Sequence, residues 1–319
     1  MLQLILSIAL LMQGPPAGDY FLKGKWLAAA EAYEAMASPG REDLLALADA
    51  YFYAGRPDLA EKTYLRLRDD PDARISLAML KAVKKKRHTK KLKALFKHWP
   101  DNPRLWRATG IAHMRNGDDP AAVDYFKGAV ERDPGDYMSY FYLGSIYEAH
   151  FAFDDAIATY KKAVEINPLY AQAVNNLGYS LKERHYYSYA IEQYQRAVEL
   201  DPENAGYHYN LGVAYTQKKM IPEAFEQHRK AIELDPAFAK AHYNVGKAYI
   251  KLGKEKDWPE IVRYYKEGLK HLELYIKYWN PSISPHDVPL PDVVAKEIED
   301  LKALIDAEDE LGRRGHEAK

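Results

Sequence analysis

The fold is decided by residues 171–238, which read AQAVNNLGYSLKERHYYSYAIEQYQRAVELDPEN over 171–204 and AGYHYNLGVAYTQKKMIPEAFEQHRKAIELDPAF over 205–238. The two 34-residue stretches align without a gap, so Gly178 matches Gly212 and Pro202 matches Pro236. The same period recurs on both sides, at Gly110, Gly144, Gly246, Pro100, Pro134, Pro168, Ala122, Ala156, Ala190, Ala224, Ala129, Ala163, Ala197 and Ala231. An internal repeat of this length therefore organises the chain.

Each repeat contains two stretches with apolar residues at helical spacing, such as Tyr140, Leu143 and Tyr147 in the first stretch of residues 137–170. A glycine inside a helix costs about 1 kcal/mol relative to alanine, so the periodic glycine indicates a close approach between helices. Proline disfavours helix in the residue before it, so each second helix is predicted to end just before the periodic proline. These end residues are Asp133, Asn167, Asp201 and Asp235.

The pattern resembles the tetratricopeptide repeat, W-x2-L-G-x2-Y followed by A-x3-F, A and P. Residues 137–170 match it with Tyr140, Leu143, Gly144, Tyr147, Ala156, Tyr160, Ala163 and Pro168. Residues 171–204 and 205–238 also match well, whereas residues 103–136 have Thr109 and His113 where Leu and Tyr are usual. The resemblance implies an all-α fold, an α-solenoid in which about seven helix-turn-helix units form a right-handed superhelix with a C-terminal capping helix.

The match weakens towards both ends of the chain. We predict degenerate helical units over 17–102, a regular array over 103–279, a proline-rich connector over 280–291, a capping helix over 292–311 and a polar tail over 312–319. Terminal repeats need a cap with a polar outer face, which the acidic final helix would provide.

The first residues, MLQLILSIALLMQGPPAGDY, are predicted to be a signal peptide over 1–16. An apolar run of 7–15 residues followed by small residues is typical of such a segment, although no Lys or Arg precedes it here. The alternative is a hydrophobic first helix that packs on the next one. We expect an exported protein, periplasmic or extracellular, and a cytoplasmic one if the alternative holds.

Composition excludes several kinds of chemistry. The 319 residues include no cysteine, so disulfides, cysteine nucleophiles and thiolate metal sites are absent. The chain has no H-E-x-x-H, P-loop, G-x-S-x-G or G-x-G-x-x-G motif, and we predict no enzymatic activity, cofactor or metal. His208 and His242 occupy equivalent positions with His228 between them, but they replace consensus aromatic residues and need no metal to explain them.

The near balance of 45 basic and 46 acidic residues conceals a local excess of positive charge. Residues 74–115 contain thirteen Lys or Arg and one acid, Asp101, and the basic segment 74–97 holds the densest run. That run consists of Lys84, Lys85, Lys86, Arg87, Lys90, Lys91, Lys93 and Lys97. It could attract an acidic protein or an anionic polymer, or be a solvated face. Nucleic acid is disfavoured because no aromatic platforms interleave the charges.

The resemblance implies that a groove lined by first helices binds a peptide segment of a partner protein. Asn176, Asn210 and Asn244 recur at one first-helix position, where some members of the family hold a peptide backbone with asparagine. An amide both donates and accepts hydrogen bonds, so it suits any peptide sequence, although these residues could instead bridge neighbouring repeats. Nearby tyrosines and a lysine complete the predicted contact set, Tyr179, Tyr209, Tyr243 and Lys247.

A carboxylate clamp of the kind used by chaperone-binding members is not expected, because Arg107 alone among its positions is basic. The sequence therefore predicts a non-enzymatic adaptor that binds a peptide segment in its groove. The main alternative is a fixed scaffold subunit of an envelope assembly that uses convex or terminal surfaces.

Overall fold

The computed structural model describes residues 17–84, 89–257, 259–281 and 288–317. The predicted signal peptide over 1–16 lies outside these ranges, as does half of the connector, residues 282–287. Lys85, Lys86 and Arg87 of the basic run, and the side chain of Lys84, are also outside the description.

Within these ranges the chain forms seventeen α-helices and no strand. In chain order they are α1 Ala17–Leu22, α2 Trp26–Glu34, α3 Arg41–Tyr53, α4 Pro57–Leu65, α5 Pro71–Lys84, α6 Thr89–Leu95, α7 Pro103–Arg115, α8 Asp119–Arg132, α9 Tyr137–Ala149, α10 Phe153–Ile166, α11 Ala171–Glu183, α12 Tyr187–Leu200, α13 Ala205–Gln217, α14 Ile221–Leu234, α15 Ala239–Gly253, α16 Glu260–Tyr278 and α17 Pro291–Glu317. The chain divides into an N-terminal unit that ends at Arg184 and a C-terminal unit that begins at His185.

Helix boundaries follow the local sequence signals. The side chains of Asn102, Asp136 and Asn204 accept hydrogen bonds from backbone N–H groups in the first turns of α7, α9 and α13, which satisfies donors that have no partner within the helix. Each second helix ends one residue earlier than predicted, and the residue before the periodic proline is its C-cap. These C-caps are Asp133, Asn167, Asp201 and Asp235.

Three of the periodic glycines, Gly110, Gly144 and Gly212, mark places where an aromatic ring of the paired helix approaches the backbone. A Cβ atom added to Gly144 would lie 2.6 Å from the ring of Tyr160, and one added to Gly212 would lie 2.6 Å from the ring of His228. Both rings are buried, and only glycine leaves room for them. The predicted close approach is thereby explained.

In four consecutive repeats the turn between the two helices places one residue in the left-handed conformation. Gly117 has a φ of 74° there, and the equivalent residues 34 positions apart are Phe151, His185 and Lys219, with φ values of 58°, 61° and 60°. Three consecutive repeats thus keep a backbone shape that favours glycine without having one.

The C-terminal unit ends in two long helices. α16 spans Glu260–Tyr278, and α17 extends to Glu317, beyond the predicted 292–311. Val294, Ile298, Leu301 and Ile305 form the buried face of α17, against a cluster that includes Tyr243, Tyr265 and Tyr275. Among the helices that the structure describes, none combines the length and apolarity needed to cross a membrane.

Candidate peptide-binding surface

Two of the predicted contact residues, Tyr209 and Asn210, line a cavity of about 310 Å³ in the C-terminal unit. Four segments line it: the first turns of α13, the start of α15 with its preceding loop, the end of α16 with the two residues after it, and Val288 before α17. The lining residues are Gly206, Tyr209, Asn210, Asp235, Ala237, Phe238, Ala239, Lys240, Tyr278, Trp279, Asn280 and Val288.

The cavity has an aromatic interior and polar groups at known positions. Tyr209 is 5% exposed, and its ring centroid lies 5.2 Å from that of Phe238. The Lys240 ammonium lies 5.9 Å from the same tyrosine ring. The Asp235 carboxylate accepts a hydrogen bond of 3.0 Å from the Ala237 N–H, which shapes the loop before α15. Apolar walls with a few convergent polar groups are typical of a ligand site.

Tyr243, Asn244 and Lys247 lie one repeat further on, where α17 packs. The Lys247 ammonium is 3.2 Å from the Glu297 carboxylate of α17, and the ring of Tyr243 lies 5.5 Å from that of Tyr275. Burial, followed by the charge of Glu297, raises the pKa of Tyr243 to about 12. Asn244 is half-buried. The final helix therefore pairs with Lys247 and shares a hydrophobic cluster with Tyr243, two of the residues that the sequence assigned to the peptide.

Asn176 takes part in a hydrogen-bond network of the N-terminal unit. Its Nδ2 donates to the Tyr160 hydroxyl at 3.2 Å, and its Oδ1 accepts from Asn175 at 3.1 Å. The Tyr160 hydroxyl also lies 3.2 Å from a carboxylate oxygen of Glu148, whose pKa burial raises to about 7. Asn176 thus links α11 to its neighbouring repeat, the role that the sequence left open as the alternative.

Tyr179 lies on α11 near an aromatic group at the turn of the preceding repeat. Its ring is 6.4 Å from that of Phe153, which is 6.1 Å from Phe151. The Lys182 ammonium lies 4.5 Å from the Tyr179 ring. Phe151 is 80% exposed, so these rings are open to solvent at one edge.

The first-helix surface of the N-terminal unit is filled by its own charged side chains. Arg107 of α7 bonds Asp136 at 2.6 Å, and that carboxylate is 1% exposed. Arg104 pairs with Asp49 of α3 and donates to Ser76 of α5. Removing one partner would strand a buried charge, so these groups hold the unit together and Arg107 has a structural role. Sequence reasoning missed the network because its partners are up to 55 residues apart.

The segment that joins α1 to α2 also covers this surface. The Asn167 side-chain amide donates a hydrogen bond of 2.9 Å to the Leu22 carbonyl. A Cβ atom on Gly24 would lie 2.7 Å from the ring of Tyr170, and Trp26 makes an edge contact with that ring at 6.0 Å. An asparagine side chain and a tyrosine ring here hold a segment of the same chain.

His208 and His242 stand where Trp106 stands in its own repeat, and all three side chains make the same kind of hydrogen bond. Trp106 Nε1 donates to the Pro100 carbonyl at 2.7 Å, and the corresponding distances are 3.0 Å from His208 Nε2 to Pro202 and 3.1 Å from His242 Nε2 to Pro236. An N–H donor that ties the first helix to the preceding loop explains these residue types.

The other histidines occupy packed positions. His228 is 2% exposed, and burial lowers its pKa to about 4, so it is neutral at pH 7. His242 contacts His271, with their Nδ1 atoms 2.9 Å apart. In the portion of the chain that the structure covers, no group of three or more potential ligands could hold a metal ion.

The basic run is partly visible on the surface of the N-terminal unit. Lys90, Lys91, Lys93 and Lys97 are exposed along and just after the short helix α6. Arg74 on α5 stacks over the ring of Trp99, 5.2 Å from its centroid. The four lysines therefore form an accessible cationic surface, which is called the α6 lysine surface below.

Comparison with known proteins places this arrangement in a family. A family model for the TPR repeat matches residues 186–219 and 214–253, and a second, for the tetratricopeptide repeat, matches residues 90–137 and 120–171. A search of curated proteins finds no match.

Solved structures similar to this chain include those of MamA and of YrrB. A crystal structure of MamA is 30% identical over 53% of this chain and 97% of that chain, with a TM-score of 0.48. MamA 41-end from Desulfovibrio magneticus RS-1 is 22% identical over 54% of this chain and 94% of that one, with a TM-score of 0.49. YrrB, described as a TPR protein with an unusual peptide-binding site, is 20% identical over 58% and 96%, with a TM-score of 0.50. With its helix pairs, periodic glycines and matching family models, the chain belongs to the tetratricopeptide-repeat family.

Proposed function

We propose that the protein is a non-enzymatic adaptor that binds an extended segment of a partner protein on the first-helix surface of its C-terminal unit. The observation that carries the proposal is the cavity beside Tyr209 and Asn210. The corresponding surface of the N-terminal unit is filled by the Arg104, Arg107 and Asp49 network, which leaves the C-terminal unit as the better candidate.

Each part of the surface has a distinct task in this proposal. Asn210 pairs with the peptide main chain, and the cavity receives an apolar side chain, with Tyr209 as its rigid aromatic wall. Asn244, Tyr243 and Lys247 extend the surface towards α17. Asn176 and Tyr179 hold the equivalent repeat positions on α11 of the N-terminal unit, and for them peptide contact stays a separate proposal. YrrB shares the fold and is described as having a peptide-binding site, which agrees with this use of the fold.

Selection of peptides tests the proposal directly. Phage-displayed random dodecapeptides are selected on the full chain at pH 7.5, and the affinity of the enriched peptides is measured for wild type and Asn210→Ala. We expect an apolar anchor residue in the enriched set and affinity about tenfold weaker for Asn210→Ala, a loss of about 1.4 kcal/mol. Ala237→Trp, which places a large side chain at the cavity rim, is expected to block binding.

The matched control is Gln217→Ala, at an exposed position in the last turn of the same helix. It should bind like wild type. Equal binding by all three variants would contradict the proposal. Protection from hydrogen exchange confined to residues 74–115 and α17 in a native complex would instead support the fixed scaffold that uses other surfaces.

The α6 lysine surface supports a second candidate function, the binding of an acidic protein or anionic polymer. Its four lysines are exposed on one short stretch of chain, so their positive potential reaches solvent.

Export to the periplasm or the cell exterior is also a proposal, and it rests on residues 1–16 alone. Sequencing the N-terminus of the protein isolated from its natural source tests it. A mature chain that begins near residue 15–18 is expected, and one that begins at Met1 or Leu2 would contradict export.

A further inference from the structure

A pair of histidines lies directly behind the cavity wall. His242 on α15 and His271 on α16 face each other with their Nδ1 atoms 2.9 Å apart and their ring centroids 5.1 Å apart. His242 is 3% exposed, and its Nε2 donates to the Pro236 carbonyl at 3.1 Å. The ring of Tyr278 lies 5.8 Å from His242, and the ring of Tyr249 lies 5.7 Å from His271.

The positions of the protons follow from these bonds. Because His242 Nε2 carries the proton given to Pro236, Nδ1 of neutral His242 is an acceptor, and His271 Nδ1–H must be the donor. If His242 takes up one proton at Nδ1, the bond between the two Nδ1 atoms survives only if His271 moves its own proton to Nε2 and so becomes the acceptor. A second added proton leaves two N–H groups and two positive charges facing each other, which breaks the bond.

The adjacent repeat contains the same arrangement with a different partner. His208 Nε2 lies 3.0 Å from the Pro202 carbonyl, and its Nδ1 lies 2.8 Å from Oε1 of Gln227. A glutamine amide can offer either its oxygen or its N–H to the ring, so this pair accepts a protonated histidine without loss of the bond. The His242–His271 pair lacks that freedom, since its second member is itself titratable.

The pair is joined to the cavity through two lining groups. The carbonyl that His242 holds belongs to Pro236, between the lining residues Asp235 and Ala237. Tyr278, which lies against the His242 ring, is itself a lining residue. A break between α15 and α16 at this point therefore moves two walls of the cavity.

We propose that protonation of the His242–His271 pair opens the cavity, so that the C-terminal unit binds its peptide at neutral pH and releases it on acidification. The inference rests on the proposed peptide binding at this cavity. The charged and titratable groups around the pair are Asp235 in the loop before α15, Lys270 on α16, and the hydroxyls of Tyr249 and Tyr278.

The direction of the pH effect follows from the pKa shifts. Burial, followed by the charges of His242 and Lys270, lowers the pKa of His271 to about 4, and burial lowers the pKa of His242. The unfolded pair takes up protons near pH 6.5, before the packed pair does. The closed arrangement is therefore fully stabilised above about pH 6.5 and loses stability as the pH falls from there towards 4.

His271→Gln is the test variant because it reproduces the His208–Gln227 pair of the adjacent repeat. Hydrogen exchange of the peptide-free protein is compared at pH 7.5 and 5.0, with rates corrected for the intrinsic effect of pH. In wild type we expect at least tenfold faster corrected exchange at pH 5.0 in residues 235–246 and 268–280, and in His271→Gln no such change. His98→Gln, which removes an exposed histidine in the N-terminal unit, should behave like wild type.

Equal pH responses of wild type and His271→Gln would overturn the proposal, as would unchanged wild-type exchange in both segments. If His271→Gln fails to fold, the reverse variant Gln227→His must create a new acid-labile segment around residues 201–212. Neither readout needs a peptide, so they test the histidine pair even if no peptide is selected. Where peptides are selected, wild type should lose at least tenfold in affinity between pH 7.5 and 5.0, and His271→Gln should lose less than threefold.

Discussion

At the scale of single residues, Phe151 stands in a backbone conformation that suits glycine. Its φ is 58° and its side chain is 80% exposed. Burial of the ring therefore offsets little of the backbone strain. The left-handed conformation costs an ordinary residue about 1–2 kcal/mol, and glycine avoids this cost. Glycine also loses more conformational entropy on folding, which offsets part of the gain. We expect Phe151→Gly to raise the free energy of unfolding by about 0.5–1 kcal/mol, measured by urea denaturation.

Phe151→Ala separates the backbone effect from the loss of the ring. It removes the same aromatic side chain and keeps the left-handed strain, so its unfolding midpoint should not rise. A rise as large as that of Phe151→Gly would show that the exposed ring, not the backbone, is unfavourable.

The sequence predicted that helices approach each other closely at the periodic glycines. A glycine inside a helix lowers helix stability, and close packing offsets that loss. It did not predict the left-handed positions, since Phe151, His185 and Lys219 carry no signal of positive φ. The reason for His208 and His242 also needed the structure, because the accepting carbonyls of Pro202 and Pro236 belong to a loop.

At the scale of elements, α17 completes the C-terminal unit by covering α15 and α16. Leu301 is 5% exposed in that cluster, and truncation of a buried leucine to alanine typically costs about 2–5 kcal/mol. We expect Leu301→Ala to speed hydrogen exchange in α17 and in the α15 segment around Tyr243 and Lys247, and to leave the N-terminal unit unchanged. Leu304→Ala, at a position 38% exposed on the same helix, is the control and should have little effect.

Equal effects of the two leucine variants would contradict the packing role of this face. The sequence predicted the apolar face of α17 from its spacing. It could not predict the contact between Lys247 and Glu297, because the sequence of the proline-rich connector does not specify which surface α17 packs against.

At the scale of the whole molecule, charge is segregated along the chain. The α6 lysine surface is exposed in the N-terminal unit, whereas the net charge of the chain is only −1. We expect binding to immobilised poly-L-glutamate at low salt and release at moderate salt, because the Debye length falls from about 10 Å at 0.1 M to about 3 Å at 1 M.

Replacing Lys90, Lys91, Lys93 and Lys97 together by alanine should abolish retention on poly-L-glutamate. The matched control replaces four exposed lysines elsewhere, Lys161, Lys218, Lys251 and Lys254. Equal loss of retention in both variants would mean that net charge alone, and not this surface, attracts the polymer.

The hydrogen bond from Asn167 to Leu22 has a consequence for how the protein is made. It joins residues 145 positions apart, whereas repeats in such arrays fold through contacts with their neighbours. During synthesis α1 and α2 leave the ribosome long before Asn167 and Tyr170 do, so they lack these partners while the four helix pairs from α3 to α10 emerge. Closing a loop of this length costs more entropy than any neighbouring contact. We therefore expect α1 and α2 to bind Asn167 and Tyr170 in a late folding step, after the repeats between them have formed.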